Sequence, residues 1–459
     1  MKILLTHGYF LMEDPKEKAI MRPYPPLGIL YISAWLEQNG FNNDVYDTTF
    51  SKPEDQQTYL KEQLPLVVGI YTNLMTKLNV LELMRFIRNE SSMISTKIVL
   101  GGPDVRNHKE NYLSAGADVI VFGEGEETML DLVKSWKEDP EKDLQQIPGI
   151  AFLKNNFVMV TGERVLIRDI NQLPFPNRLK INLQLYFDVW KMNHGFSMVN
   201  LSSMRGCPYS CKWCSRAVYG GTYRRRSPKH VVDEIHWLQE NYCFDMIWFV
   251  DDVFTISHNW LAEFAEEIRT RKIIVQYEII TRSDRVNEQV LDLLKQSGCF
   301  RVWIGAESGS QKVIDAMDRR VKVEQVREII KLVKAKGMEV GTFIMLGYPG
   351  EVESDIKETL YHLKYSDPDY YTITIAYPIK GTPLYTEVED ILTEDLSWAG
   401  STDRDIDFKR TYRRSYYTHA ISWINNEMLY QKKKKQKERV LIKLRSIKAR
   451  GMMWWNRIT

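Results

Sequence analysis

Cys207, Cys211 and Cys214 stand in the run Met204-Arg-Gly-Cys-Pro-Tyr-Ser-Cys-Lys-Trp-Cys-Ser, a C-x3-C-x2-C spacing with no fourth cysteine nearby. Cysteine thiolate is the usual protein ligand of iron–sulfur centres, and three thiolates hold three irons of a cubane cluster. The missing fourth ligand leaves one iron open, which implies chemistry rather than electron storage alone. Zinc normally takes four N or S ligands, often as two separated pairs. No second pair is present, and His194 and His230 flank the loop at no familiar spacing. A disulfide framework is not expected from five cysteines in 459 residues, and no signal-like segment precedes the first predicted strand.

The composition, 44% hydrophobic and 27% charged, is that of a globular protein with ample material for sizeable cores. No apolar run reaches the roughly 20 residues that a membrane span needs. The expected setting is cytoplasmic, reducing and low in oxygen. Charge is unevenly placed: residues 401–459 hold 16 Lys+Arg against 5 Asp+Glu, net +11, in a chain whose net charge is only +2. That asymmetry marks the C-terminus as a contact surface.

The elements that must position the cysteines follow from alternation. Residues 1–140 interleave short β-branched runs (Lys2–Leu5, Asp44–Tyr46, Leu66–Tyr71, Lys97–Leu100, Asp118–Phe122) with amphipathic stretches such as Gly28–Gln38, Lys77–Asn89 and Glu126–Lys137. This pattern predicts a doubly wound, Rossmann-like α/β sheet, with ligands outside the carboxyl ends of its strands. Those ends carry Thr6-His-Gly-Tyr, Tyr71-Thr72-Asn73, Gly101-Gly102-Pro103-Asp and Gly123-Glu124-Gly125-Glu126-Glu. Residues 141–195 read as a connector with a hairpin around Lys154-Asn-Asn. In 196–385, six strand candidates (Val199–Ser203, Met246–Val250, Ile274–Ile280, Arg301–Gly305, Val340–Leu346, Tyr371–Ala376) alternate with helices, predicting a partial (β/α)6 barrel. The cysteine loop follows the first of them. Residues 386–459 read as a basic helical extension. Cys243 and Cys299 lie among Phe, Ile and Trp and read as core. Ser227-Pro228 reads as a helix start, and Arg224-Arg-Arg before it as phosphate recognition or structure.

With Trp213 before its last cysteine, the loop resembles the cluster loop of radical S-adenosylmethionine (SAM) enzymes. Pro25-Pro-Leu-Gly-Ile-Leu-Tyr-Ile, Gly101-Gly-Pro and Phe122-Gly-Glu-Gly-Glu, in that order and spacing, resemble the cobalamin-binding domain of class B radical SAM proteins. The resemblance implies a [4Fe–4S] cluster on Cys207, Cys211 and Cys214. It implies cobalamin at Tyr71, Thr72, Asn73, Gly101, Gly102, Pro103, Gly123, Glu124, Gly125 and Glu126. The D-x-H-x-x-G signature of other cobalamin proteins is absent; His7 and His108 have no such frame.

SAM would chelate the open iron through its amino and carboxylate groups. Asp251 and Asp252, at the tip of Trp248-Phe-Val-Asp-Asp, match the family's acidic position; an acid pair opening a helix is the alternative. Glu278 and Arg282 lie at and after the third strand tip, where Arg282 serves either the SAM carboxylate or a structural ion pair. Glu307 and Ser308 match the fourth-strand motif, Gly341–Glu351 the fifth and Tyr377 the sixth, with Trp213 beside the adenine. The resemblance implies a cobalamin-dependent C-methyltransferase, with an oxidative cyclase or rearrangement enzyme as alternative and a non-catalytic cobalamin or redox sensor as the reading from another class. The expected partners are a small-molecule, lipophilic substrate and an electron donor such as flavodoxin or ferredoxin. Leu441, Leu444, Ile447 and Trp454 among lysines read either as a helix capping the barrel with a solvated charged face or as a peripheral membrane contact; no nucleic-acid motif accompanies the charge.

Overall fold

The computed structural model describes residues 1–394 and 396–458. Chain packing divides it into two units: residues 1–208, 215–248 and 396–402, and residues 209–214, 249–395 and 403–459.

The first unit is built on a seven-stranded sheet. Its strands are β1 (Ile3–His7), β2 (Asp44–Tyr46), β3 (Val67–Tyr71), β4 (Lys97–Gly101), β5 (Val119–Val121), β6 (Ile150–Lys154) and β7 (Phe157–Val160), in the order β2-β1-β3-β4-β5-β6-β7. The first five run parallel, and β6 and β7 are antiparallel. Parallel strands are covered on both faces, so they read as near-continuous apolar runs. Leu4, Val68, Ile70, Ile98 and Leu100 enter one core, and Ile3, Leu5, Val67 and Val99 the other. The predicted connector hairpin exists and extends this sheet: β6 pairs with β5, and Asn155 and Asn156 make the two-residue turn at φ 51° and 65°. Asparagine tolerates that left-handed backbone.

Four further strands follow: β8 (Met198–Leu201), β9 (Met204–Arg205), β10 (Arg224–Arg225) and β11 (Met246–Phe249). The ladder of β9 with β10 is antiparallel, Arg205 opposite Arg224, and closes the base of the cysteine loop. Gly206, at φ 83°, admits no side chain, because a Cβ there would lie 2.0 Å from the Thr222 carbonyl oxygen. Ser227 caps helix Pro228–Asn241 by accepting from the His230 amide, as expected. Cys243 departs from expectation. It is exposed, since the chain has left that helix but not yet entered β11; Cys299 is buried.

The second unit carries β12 (Gln276–Thr281), β13 (Cys299–Glu307), β14 (Glu339–Leu346) and β15 (Tyr370–Ile375), parallel neighbours in sequence order. Their order β15-β14-β13-β12 is the strand succession of a partial barrel. The predicted helical extension begins late. Short turns occupy most of the segment before helices Arg414–Lys432 and Gln436–Ile458, which break within the lysine run. No helix among the described residues is long and apolar enough to cross a membrane.

In the first unit Glu234, fully buried, receives Arg178 at 3.0 Å and Arg226 at 2.5 Å. Burial alone would raise its carboxyl, and the two guanidiniums outweigh that and hold it low. Removing one member of a buried ion network strands the others. Glu234→Ala is therefore expected to cost about 3 kcal/mol or more in denaturant unfolding of the full chain; a loss under about 1 kcal/mol would contradict this role.

Candidate functional site

In the second unit, residues 209–214 are held by backbone and side chain together. The Lys212 amide donates to the Met317 carbonyl at 3.2 Å, the Lys212 carbonyl accepts from Leu384 at 2.9 Å, and Ser210 bonds Asp318 at 2.9 Å. Trp213 packs against a core that includes Met317, Met345, Tyr348 and Leu384. Among Cys207, Cys211 and Cys214 there is no disulfide.

Two buried guanidiniums face the Cys211 sulfur. Arg282 Nη1 lies 3.7 Å and Arg319 Nη1 3.6 Å from Sγ. Arg282 is fixed by Asp284, by the Arg319 carbonyl and by the Tyr209 ring, 3.8 Å from its guanidinium carbon. Arg319 donates to the Gly305 carbonyl at 3.0 Å, while its Nε is buried with no hydrogen-bond partner. Burial works against the Arg319 charge, and neighbouring Glu307 and Cys211 more than restore it. Glu307 is buried at φ 62°, an unusual backbone for a non-glycine residue. Burial raises its carboxyl, and Arg319 and Arg282 oppose that only in part. Gly305 makes the room: a Cβ there would come within 2.5 Å of Arg319 and 2.7 Å of Glu307.

The other strand-tip residues differ in what they have left to offer. Asp251 is buried and Asp252 opens to solvent; crowding around the Asp252 carboxyl and the Asp251 charge raise it. Such a carboxyl gains from a cation. Glu278 is taken up by Arg301 at 2.8 Å and Trp303 Nε1 at 3.2 Å. The Ser308 hydroxyl meets Thr359 and the Ser310 amide, both at 3.2 Å. Tyr377 is half-buried, and burial raises its phenol. Arg319 escaped the sequence reading; it follows the short helix Gln311–Ala316 rather than a strand, in an Asp-Arg-Arg run that resembles surface charge.

The parallel strand tips of the first unit form a separate constellation. Gly102, at φ 115°, would put a Cβ 2.2 Å from the Thr72 carbonyl oxygen, so these two tips meet backbone to backbone. The Thr72 hydroxyl is buried without a hydrogen-bond partner. Asn73 accepts from the Met75 and Thr76 amides and thereby starts the following helix. Tyr71, half-buried, ends β3, Gly101 accepts from the Thr72 amide at 2.7 Å, and Pro103 follows at once. Beyond β5, Gly123 stands at φ 73° on a cavity of ≈150 Å3 that Arg106, Phe122, Arg164 and Val218 also line. Gly125 lies against Ile32. Both acids of this loop are engaged: Arg205 bonds Glu124 at 2.8 Å and Glu126 at 2.5 Å, and Arg224 bonds Glu124 at 2.7 Å. Their carboxylates secure the segment just before Gly206-Cys207. His7 is also committed, to Asp47 at 3.0 Å and to Thr48.

The donor set therefore fits an iron–sulfur cluster. It offers three cysteines close together in sequence, with two cations beside Cys211 that would compensate the charge of a ligating thiolate. The glycine cradle and the orphan Thr72 hydroxyl fit a ligand lying against backbone. Family comparison agrees with both. The radical SAM superfamily model matches residues 201–363, and the B12 binding domain model matches residues 20–133. An uncharacterised methyltransferase of Pyrococcus horikoshii is 27% identical over 418 residues, 88% of this chain and 87% of that protein. The anaerobic magnesium-protoporphyrin IX monomethyl ester cyclase of Synechocystis is 25% identical across 96% of this chain and 87% of its own. Among solved structures, the cobalamin-dependent SAM radical enzyme OxsB with aqua-cobalamin bound superposes at a TM-score of 0.75 with 17% identity, over 99% of this chain and 72% of that one. That likeness is one of fold.

Glu351 closes the fifth-strand motif, buried with one carboxylate oxygen unpartnered, and burial raises its pKa from 4.5 to about 8. Its folded value lies above its unfolded one, so the folded state binds the extra proton and stability falls as pH rises from about 4.5 to about 8. Glu351→Gln should therefore unfold at higher temperature than wild type at pH 8 and nearly alike at pH 4; a gap independent of pH would contradict this.

Proposed function

Taking as premise that the chain is a radical SAM superfamily protein with a B12-binding domain, we propose that it is a cobalamin-dependent C-methyltransferase acting on a small molecule. The convergence of Arg282 and Arg319 on Cys211, in a loop with three cysteines and no fourth, carries the reading. When bound, a [4Fe–4S] cluster, SAM and methylcobalamin supply reductive cleavage of SAM to methionine and a 5′-deoxyadenosyl radical, hydrogen abstraction from an unactivated carbon, and the methyl group that replaces the hydrogen.

Cys207, Cys211 and Cys214 would hold the cluster. Arg282 and Arg319 would stabilise Cys211 as a cluster ligand without ligating metal themselves, a role suited to the delocalised guanidinium. Asp251 and Asp252 supply carboxylates for the SAM ammonium, and Glu307 a further acceptor beside both arginines. Trp213 and Tyr377 present aromatic surface to the adenine. Glu278 and Ser308, with their polar groups engaged, shape the barrel that holds the others. On the first unit, the Thr72 hydroxyl and the backbone of Tyr71, Gly101, Gly102, Pro103 and Gly123 would receive cobalamin. Asn73, Glu124, Gly125 and Glu126 hold those loops in shape. A flavodoxin or ferredoxin would deliver the electron in the cytoplasm.

A second reading, an oxidative cyclase using the same cofactors, draws on the relative in Synechocystis that aligns along nearly the whole chain. That relative's ester substrate also favours a lipophilic substrate here.

Anaerobic reconstitution with strong reductant tests both readings. The expected products are 5′-deoxyadenosine and, for methyl transfer, S-adenosylhomocysteine in equal amount; 5′-deoxyadenosine alone would favour the cyclase. Cys211→Ala should lower SAM cleavage by about a hundredfold or more. No cleavage in the reconstituted wild type would overturn catalysis and leave a sensor.

A further inference from the structure

The C-terminal helix Gln436–Ile458 has two apolar faces. One faces the antiparallel helix Arg414–Lys432: Ile442, Ser446, Ala449 and Met453 are buried, and Ser446 donates to Glu427 at 2.6 Å. Lys364 and Lys443 also bond Glu427, at 2.6 and 2.7 Å, and tie the pair to helix Glu353–Ser366. The opposite face is just as apolar and is exposed. Val440, Leu441, Leu444, Ile447, Trp454 and Trp455 follow helical spacing, and each is 51–62% exposed. Exposed hydrophobic side chains on this scale mark an interaction site when contiguous.

Charge decides the occupant. From residue 439 to 459 there are six Lys or Arg and no Asp or Glu. Lys448 lies within the stripe, and Lys443, Arg445 and Arg450 flank it at helical spacing. A second copy docked face to face would set like-charged lysines and arginines against each other, with no acid to offset them on this stretch. The stripe also runs along one convex cylinder, whereas protein hot spots gather in well-packed pockets. A fluid anionic interface accepts both features: the apolar face sinks to the acyl boundary, the lysines and arginines reach back to headgroup phosphates, and the tryptophans sit at the boundary.

We propose that helix Gln436–Ile458 is an interfacial anchor that lies in the plane of an anionic lipid bilayer, with Val440, Leu441, Leu444, Ile447, Trp454 and Trp455 facing the acyl chains. The proposal gives a lipophilic substrate its route of delivery, but it stands on the helix alone. Lipid binding and SAM cleavage therefore fail independently.

Sedimentation of the full chain with vesicles of phosphatidylglycerol and phosphatidylcholine, against phosphatidylcholine alone, tests it. The expected result is pelleting with the anionic vesicles only, relieved by high salt. Leu444→Asp with Ile447→Asp, both on the exposed face, should weaken binding about tenfold or more. Arg445→Glu with Lys448→Glu should weaken it on anionic vesicles as well. Both variants should keep wild-type circular dichroism and SAM cleavage. Three results would overturn the proposal: no pelleting, equal pelleting with neutral vesicles, or binding unchanged in both variants. Dimerisation that Leu444→Asp abolishes would assign the face to a second copy instead.

Discussion

A thiolate that ligates a cluster inside protein needs compensating charge, and the arrangement around Cys211 would supply it. Two guanidiniums reach its Sγ from different elements, Arg282 after β12 and Arg319 after a short helix. Each is locked by a second bond, Arg282 to the Arg319 carbonyl and Arg319 to the Gly305 carbonyl. Glu307 lies beside them; its charge favours the buried Arg319, while burial works against its own carboxylate. Glu307 is held there in a left-handed backbone that ordinarily costs about 1–3 kcal/mol. Gly305 is a glycine because any side chain would occupy the space of Arg319 and Glu307.

The other end of the cysteine loop is secured by the same physics with the signs exchanged. Arg205, at the loop's base, is buried between Glu124 and Glu126, and Arg224 on the facing strand shares Glu124. Buried ion pairs of this kind add little net stability but penalise any other arrangement strongly. Their value here is registry: they fix the backbone that presents Cys207. The glycines among these acids keep the loop close to its neighbours, Gly125 against Ile32.

Much of this was legible in the sequence. Strand–helix alternation located all five parallel strands of the first sheet, and β8, β11 and β12 to β15, within a few residues, because parallel strands are buried on both faces and leave unbroken apolar runs. Asp251 and Asp252 fall just beyond β11, where the strand pattern put them. Partner choice was not legible. Glu124 and Glu126 sit where ligand-binding residues would, yet face Arg205, some eighty residues away; Glu278 faces Arg301 in the same manner. Arg319 was hidden because nothing local distinguishes it from surface charge. Cys243 read as core because its sequence neighbours are apolar, whereas exposure depends on where a loop turns.

The central claim is a cluster with one vertex open to SAM, held by Cys207, Cys211 and Cys214. Electron paramagnetic resonance of the reconstituted, dithionite-reduced protein, recorded with and without SAM, tests it most directly. A reduced [4Fe–4S] signal is expected, with g-values that shift when SAM is added, and it should be lost in Cys211→Ala. A signal that SAM leaves unchanged, or one that persists undiminished in Cys211→Ala, would contradict it.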